Sequence, residues 1–152
     1  MGSDKTLKSA HRAMRKTNPQ NRSVLVVESD PDLQWKLARM FAVRGNRVVG
    51  TGSRDGALAL LDSWSVDLVL VAEKLHDCNG LDVITLLSER LPKTPIILMA
   101  EPRADVQVLE AIGGVAACLI KPFPLDALRT LIESVIDSFQ VPVGLPVVAP
   151  AE

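Results

Sequence analysis

Residues 23–31 read SVLVVESDP, and this stretch introduces the pattern that governs the whole chain. Its apolar half, residues 23–27, is rich in β-branched side chains and has no polar face, which is typical of a parallel strand buried on both sides. Asp30 can accept hydrogen bonds from the first amides of a helix, and Pro31 suits the first helical position. The stretch therefore predicts a buried strand, an acidic turn and a helix start.

The same unit of strand and helix recurs along the chain. Further apolar runs predict strands over residues 47–50, 66–71, 95–100 and 116–120. Amphipathic segments predict five helices, namely the one that begins at Pro31 and ends before Gly45, one capped by Ser53, and those over residues 81–90, 103–112 and 125–139. The helix after Ser53 is expected to turn Ala57, Leu60, Leu61 and Trp64 toward the core. Five strands alternating with five helices predict a doubly wound α/β sandwich around a parallel sheet.

Two extensions flank the alternating region, which covers residues 23–140. Residues 1–22 contain six basic residues and one acidic residue, a net charge of +5, whereas residues 23–152 carry a net charge of −6. Residues 141–152 contain three prolines, which exclude a helix and predict an extended tail. We therefore predict a basic N-terminal extension, one domain and a Pro-rich C-terminal tail.

Composition excludes several protein classes. Of the 152 residues, 47% are hydrophobic and 23% are charged, as in globular domains, so an intrinsically disordered chain is not expected. No apolar run approaches the ~18 residues of a membrane-spanning helix. The basic start has no apolar core, so it does not resemble a secretory signal. Two cysteines are too few for a disulfide framework and fit a reducing cytoplasm.

Polar residues cluster where the predicted strands end. Strands one, three, four and five are followed or closed by residues 28–30, 72–73, 100–101 and 121–122. In a doubly wound sheet, ligands bind in the crevice beyond these carboxyl ends. Several acidic groups opposite the single lysine, Lys121, are in general terms a pattern for phosphate and metal. The sequence thus directs attention to this edge of the sheet.

Five short motifs lie in register with a known family. They are VLVVESDP at residues 24–31, DLVLV at 67–71, NGLD at 79–82, PIILM at 95–99 and LIKPF at 119–123. With these motifs, residues 23–140 resemble a receiver domain of bacterial two-component response regulators. The resemblance implies a flavodoxin-like sheet with strand order 2-1-3-4-5. It also implies a signalling module rather than an enzyme.

The resemblance further implies where a phosphorylation site would lie. The acidic pair that holds Mg²⁺ in the family falls on Glu28 and Ser29, so one carboxylate stands there, with Asp30 next along the turn. The acceptor aspartate, eight residues before the family glycine at Gly80, is replaced by Ala72. Alanine has no nucleophile, and Mg²⁺ prefers several hard oxygen ligands. We therefore expect no bound cofactor and Mg²⁺ binding that is weak or absent.

The switch positions of the family are altered as well. The hydroxyl position after strand four is Ala100, and the aromatic switch position is Cys118, whereas the lysine is retained as Lys121. These substitutions lead to the hypothesis of a pseudo-receiver that acts without phosphorylation. A partly buried lysine needs a counter-charge, and the candidates are Glu28 and Asp30. The Lys121–Pro122 peptide bond is cis in the family and is expected to be cis here.

Two alternatives to a pocket that takes up no phosphoryl group remain open at this point. Glu73 or Asp77 could serve as a displaced phosphoryl acceptor, and that reading makes the chain a phosphoryl-accepting switch. A glutamate near the pocket could instead mimic the phosphorylated state permanently. The eight-residue spacing to Gly80 and the alternation of side chains along a strand favour Ala72 over Glu73 as the family position.

The sequence suggests contact positions for a protein partner without naming that partner. Trp35 is expected on the outer face of the first helix, where an exposed tryptophan can anchor an interface. The docking face common in the family would present Arg103, Gln107, Glu110 and Cys118. A homodimer stays open, and nucleic acid is expected only through the basic residues 1–22.

Overall fold

A computed structural model describes residues 21–103, 105, 107, 113–138 and 147–148 of the chain. Its strands are β1 Ser23–Val27, β2 Arg47–Thr51, β3 Leu68–Ala72, β4 Ile96–Ala100, β5 Ala117–Ile120 and β6 Val147–Val148. They form one parallel sheet in the order β2-β1-β3-β4-β5-β6. The first five strands have the predicted order, which confirms the doubly wound α/β fold.

The described helices begin where the sequence places capping residues. They are α1 Pro31–Val43, α2 Arg54–Ser63, α3 Gly80–Arg90 and α4 Leu125–Ser138. The Asp30 carboxylate accepts a hydrogen bond from the Asp32 amide at 3.0 Å, and the Ser53 hydroxyl accepts one from the Gly56 amide at 3.0 Å. Each bond satisfies a first-turn amide that has no partner within its helix. The helix predicted over residues 103–112 lies mostly outside the described residues.

The core follows the strands rather than the helices. Every residue of β1, β3, β4 and β5 is buried, whereas β2 is partly exposed as the edge of the sheet. Leu37 and Phe41 of α1 and Leu128 of α4 are among the helical residues that cover the sheet. Burial on both faces explains why the inner strands have no polar positions. None of the described helices is long and apolar enough to cross a membrane.

Two details of the sequence analysis need correction. Trp64 does not face the core as predicted, because α2 ends at Ser63 and the backbone of Trp64 is already extended; Trp64 is 37% exposed. The sequence predicted five strands and an extended tail, yet Val147 and Val148 of that tail pair with Cys118 and Leu119 of β5 as a sixth strand. The tail therefore contributes the outermost strand, β6.

Candidate functional site

The carboxyl ends of the inner strands bring the predicted site residues to one edge of the sheet. Neighbouring strands pair in a register that ends them at nearly the same level. As a result, four predicted site residues lie along the same edge: Glu28 after β1, Ala72 at the end of β3, Ala100 at the end of β4 and Lys121 after β5. This edge is the ligand-binding crevice of doubly wound folds.

Glu28 and Lys121 form an ion pair at the centre of this edge. The Lys121 Nζ lies 2.6 Å from Glu28 Oε1 and donates a hydrogen bond to it. The Glu28 side chain is 2% exposed and that of Lys121 is 21% exposed. Of the two partners predicted for Lys121, the structure places Glu28 against it, while the Asp30 carboxylate caps α1. The Lys121–Pro122 peptide bond is cis, as the resemblance implied.

Ser29 connects three loops through its hydroxyl group. The hydroxyl donates to the Gly52 carbonyl oxygen at 3.1 Å and accepts from the His76 amide at 3.0 Å. It thereby joins the turn after β1 to the turns after β2 and β3. A carboxylate at this position could accept from His76 but could not donate to Gly52. Sequence reasoning missed this role, because both partners lie far along the chain.

Ala72 and Ala100 end β3 and β4 at this edge with methyl groups. Both residues are completely buried. Gly80, at the start of α3, approaches the end of β3 so closely that a methyl group on it would overlap the Ala72 carbonyl oxygen. The Gly80 amide also donates to the Glu73 carbonyl oxygen at 2.8 Å. The close approach fixes the loop between β3 and α3 against the sheet.

The two candidate displaced acceptors, Glu73 and Asp77, have different surroundings. The Glu73 carboxylate is half-buried and accepts a hydrogen bond from the Glu101 amide at 3.1 Å, which ties it to the end of β4. Asp77 is exposed and interacts with the Cys78 thiol. Burial, together with the Asp77 carboxylate, raises the pKa of Cys78 above its usual value. Glu73 is therefore the carboxylate better integrated into the edge of the sheet.

The donor set at this edge does not fit a Mg²⁺ ion. Such an ion prefers hard oxygen ligands in a near-octahedral array, usually with one or two carboxylates. Glu28 is paired with Lys121, the Ser29 hydroxyl is used by two backbone groups, and Ala72 has no donor. In the described ranges, no group of three His, Cys, Asp or Glu side chains is close enough to hold a metal.

The candidate contact residues differ in accessibility. Cys118 is completely buried in β5, so its predicted place on a docking face is wrong. Arg103 and Gln107 are exposed, and Glu110 lies outside the described residues. Trp35 is 60% exposed on α1, as predicted, and the guanidinium carbon of Arg39 lies 5.5 Å from the centre of its ring.

Cys118 should impose a pH dependence on stability. Burial, and next the charge of Glu73, raises the pKa of this thiol from 9.0 to about 11. The unfolded chain therefore loses the proton at lower pH than the folded chain, and the stability that the neutral thiol provides disappears as the pH rises from 9 to 11. We expect a stability difference of about 1 kcal/mol between pH 8 and pH 10 that is absent in Cys118→Ala. Urea denaturation measures the free energy of unfolding of both proteins at each pH. If both proteins lose the same free energy of unfolding between pH 8 and pH 10, the raised pKa of Cys118 does not cause the loss.

The sequence of the chain is similar to a family model and to curated bacterial regulators. A family model described as the response regulator receiver domain matches residues 24–133. The chain is 29% identical over 122 residues to the DNA-binding transcriptional regulator NtrC of Proteus hauseri, covering 80% of this chain and 26% of that protein. It is 27% identical over 120 residues to the transcriptional regulatory protein PdtaR of Mycobacterium tuberculosis, covering 78% of this chain and 58% of that protein. The chain thus spans between a quarter and somewhat over half the length of these relatives.

A solved structure shows the same fold. The signal receiver domain of an HD domain-containing protein from Pseudomonas fluorescens Pf-5 superimposes with a TM-score of 0.72 at 21% identity. The match covers 81% of this chain and all of that domain.

Proposed function

Because the chain belongs to the response regulator receiver domain family, we propose that it is a pseudo-receiver, a module that binds a protein partner in bacterial signal transduction without being phosphorylated. The observation that carries this proposal is the buried Ala72 at the end of β3. Phosphoryl transfer to a receiver needs a carboxylate oxygen as the nucleophile, and a methyl group cannot supply one.

The ion pair at the site supports the same proposal. In a working receiver the lysine pairs with the phosphoryl group, whereas here Lys121 is bound to Glu28 at 2.6 Å. The positive charge is therefore already compensated without phosphate. Ala100 and Cys118 also lack the hydroxyl and the aromatic ring that would follow a phosphoryl group. A phosphoryl group can shift a receiver between two conformations only if it interacts more favourably with one of them, and these side chains provide no such difference.

The alternative is a phosphoryl-accepting switch that uses a displaced carboxylate. One observation favours Glu73 over Asp77 for this role, namely its half-buried position directly after β3. One Glu73 oxygen already accepts the Glu101 amide, which restricts the carboxylate to the β4 side of the edge. The phosphorylation test described next decides between this alternative and the pseudo-receiver.

We expect the full chain to take up no phosphoryl group from acetyl phosphate in the presence of Mg²⁺. The physical reason is the absence of a nucleophile at Ala72 and the occupied oxygens of Glu28 and Ser29. The measurement is intact mass after incubation, together with backbone amide spectra titrated with Mg²⁺ and beryllofluoride. No saturable shifts are expected around residues 28–30, 72–80, 100 and 121.

A restored variant serves as the positive control. Ala72→Asp combined with Ser29→Asp returns two carboxylates to the edge, and this protein should respond to Mg²⁺ and beryllofluoride. The proposal fails if the parent chain gains the mass of a phosphoryl group. Loss of that gain in Glu73→Gln or in Asp77→Asn would then identify the acceptor.

The partner is proposed to bind exposed side chains of α1 and of the segment that follows β4. Trp35 with Arg39 on α1, and Arg103 with Gln107 beyond β4, are accessible in the described structure. Aromatic residues and arginines are the side chains that most often dominate interface energies. The DNA-binding role in the printed name of NtrC belongs to that longer protein. Of the basic extension that could contact nucleic acid here, residues 1–20 lie outside the described residues, and Arg22 is buried.

A further inference from the structure

A small cavity lies at the end of the sheet opposite the candidate site. It has a volume of about 20 Å³, is partly open, and is lined by the residue before β1, the end of α1 and one face of α4. Its charged lining residues are Arg22, Arg44, Arg129 and Glu133, three arginines and one glutamate. Apolar side chains, among them Val24 and Phe41, form the rest of the wall.

Two of these arginines have buried donors without acceptors. Arg22 is 6% exposed, and within the part of the chain that the structure describes neither its Nε nor that of Arg129 has a hydrogen-bond partner. The remaining contacts of the two guanidinium groups are long, at 3.5 Å from Arg22 to Glu133 and 3.6 Å from Arg129 to Asp126. Buried charged donors are normally satisfied, and an exception indicates a water or an ion that belongs to the site.

We propose that this cavity binds a carboxylate group. The excess of positive charge favours an anion over a water molecule, and the two oxygens of a carboxylate can each accept one of the Nε–H donors of Arg22 and Arg129. The space of about 20 Å³ is small, so the carboxylate oxygens enter it and the rest of the ligand lies in the open part of the pocket. The apolar wall at Val24 and Phe41 suits a short alkyl chain behind the carboxylate.

The carboxylate can come from a free small acid or from an acidic side chain on a peptide. Both present the same oxygens to Arg22 and Arg129, so the shared chemistry defines the site. The two sources differ in size, since a peptide carries its backbone beyond the carboxylate-bearing side chain and a small acid does not. Separate probes therefore distinguish them. The cavity is remote from Lys121 and Glu28, so the inference does not depend on the phosphorylation status of the receiver.

The test follows the arginine Nε–H resonances of the full chain by NMR. Acetate represents the free acid, and a blocked Gly-Glu-Gly peptide represents the side-chain carboxylate. We expect saturable shifts of the Arg22 and Arg129 Nε–H signals with at least one probe, and the tighter probe identifies the source. Acetamide, which has the same shape without the charge, and sodium chloride at equal ionic strength should produce no saturable shift.

Arg129→Gln tests the site without altering the more deeply buried Arg22. This variant should bind the carboxylate about tenfold more weakly, since it loses a charged donor. Arg90→Gln is the matched control, because Arg90 pairs with Asp62 on the surface and does not line the cavity. The proposal is overturned if neither probe binds, if acetamide binds as well as acetate, or if Arg90→Gln weakens binding as much as Arg129→Gln.

Discussion

Replacing Lys121 by methionine should lower the free energy of unfolding by about 3 kcal/mol, because it leaves a buried carboxylate without its cation. The Glu28 side chain is 2% exposed and receives its closest hydrogen bond from Lys121 at 2.6 Å. Its other oxygen is contacted by the Asp30 amide at a longer 3.4 Å. Urea denaturation, followed by circular dichroism, measures the loss directly.

A double variant separates the ion pair from the packing around it. Lys121→Met combined with Glu28→Leu removes both charges, and its stability should be within about 1 kcal/mol of the parent, since apolar replacements of buried pairs are often neutral or stabilising. If Lys121→Met alone is as stable as the parent, Glu28 is not held by this lysine. In that case Glu28 does not compensate the charge of Lys121, and the ion pair does not support the proposed function.

Replacing Gly80 by alanine should cost about 3 kcal/mol of stability or more, in the upper range of overpacking effects. The added methyl group would overlap the Ala72 carbonyl oxygen and lie 2.8 Å from the carbonyl carbon. Both atoms belong to the backbone of the central sheet and cannot rotate away. The start of α3 would have to move off β3, which would also break the bond from the Gly80 amide to Glu73.

Gly113→Ala provides the matched control for this prediction. Gly113 is exposed, and a methyl group on it would meet no atom within 4 Å. Its stability should change by no more than about 0.5 kcal/mol, as is usual for surface substitutions. Thermal unfolding of the two variants beside the parent gives the comparison. Equal melting temperatures for all three proteins would show that the β3–α3 junction tolerates separation.

Local signals explain why most of the fold could be predicted. Buried parallel strands are continuous apolar runs, and the caps at Asp30 and Ser53 mark helix starts within a few residues. β6 was missed because two valines among prolines have no strand signal of their own, and only the edge of β5 pairs them. Trp64 was misplaced because helical spacing was extended one residue past the end of α2.

The candidate site was predictable where spacing or charge defines it and not where remote loops meet. The family resemblance, through the eight-residue spacing to Gly80, placed Ala72 at the acceptor position, and that assignment stays a prediction. The need for a counter-charge reduced the expected partners of Lys121 to two, and Glu28 is the one it contacts. No sequence pattern announces that the Ser29 hydroxyl joins Gly52 to His76. Counting Arg22 among the basic residues of the N-terminal extension likewise gave no indication of its burial.

The pairing of Glu28 with Lys121 also bears on the order in which the chain folds. The two residues are 93 positions apart, so closing this contact costs more chain entropy than any pairing between consecutive strands. β1 can assemble with β2 and β3 while Glu28 still faces water, and β5 must then dock to bring the lysine to it. Contacts that form after the folding transition state slow unfolding without speeding folding. The ion pair should therefore act on the lifetime of the native state rather than on the rate at which it forms.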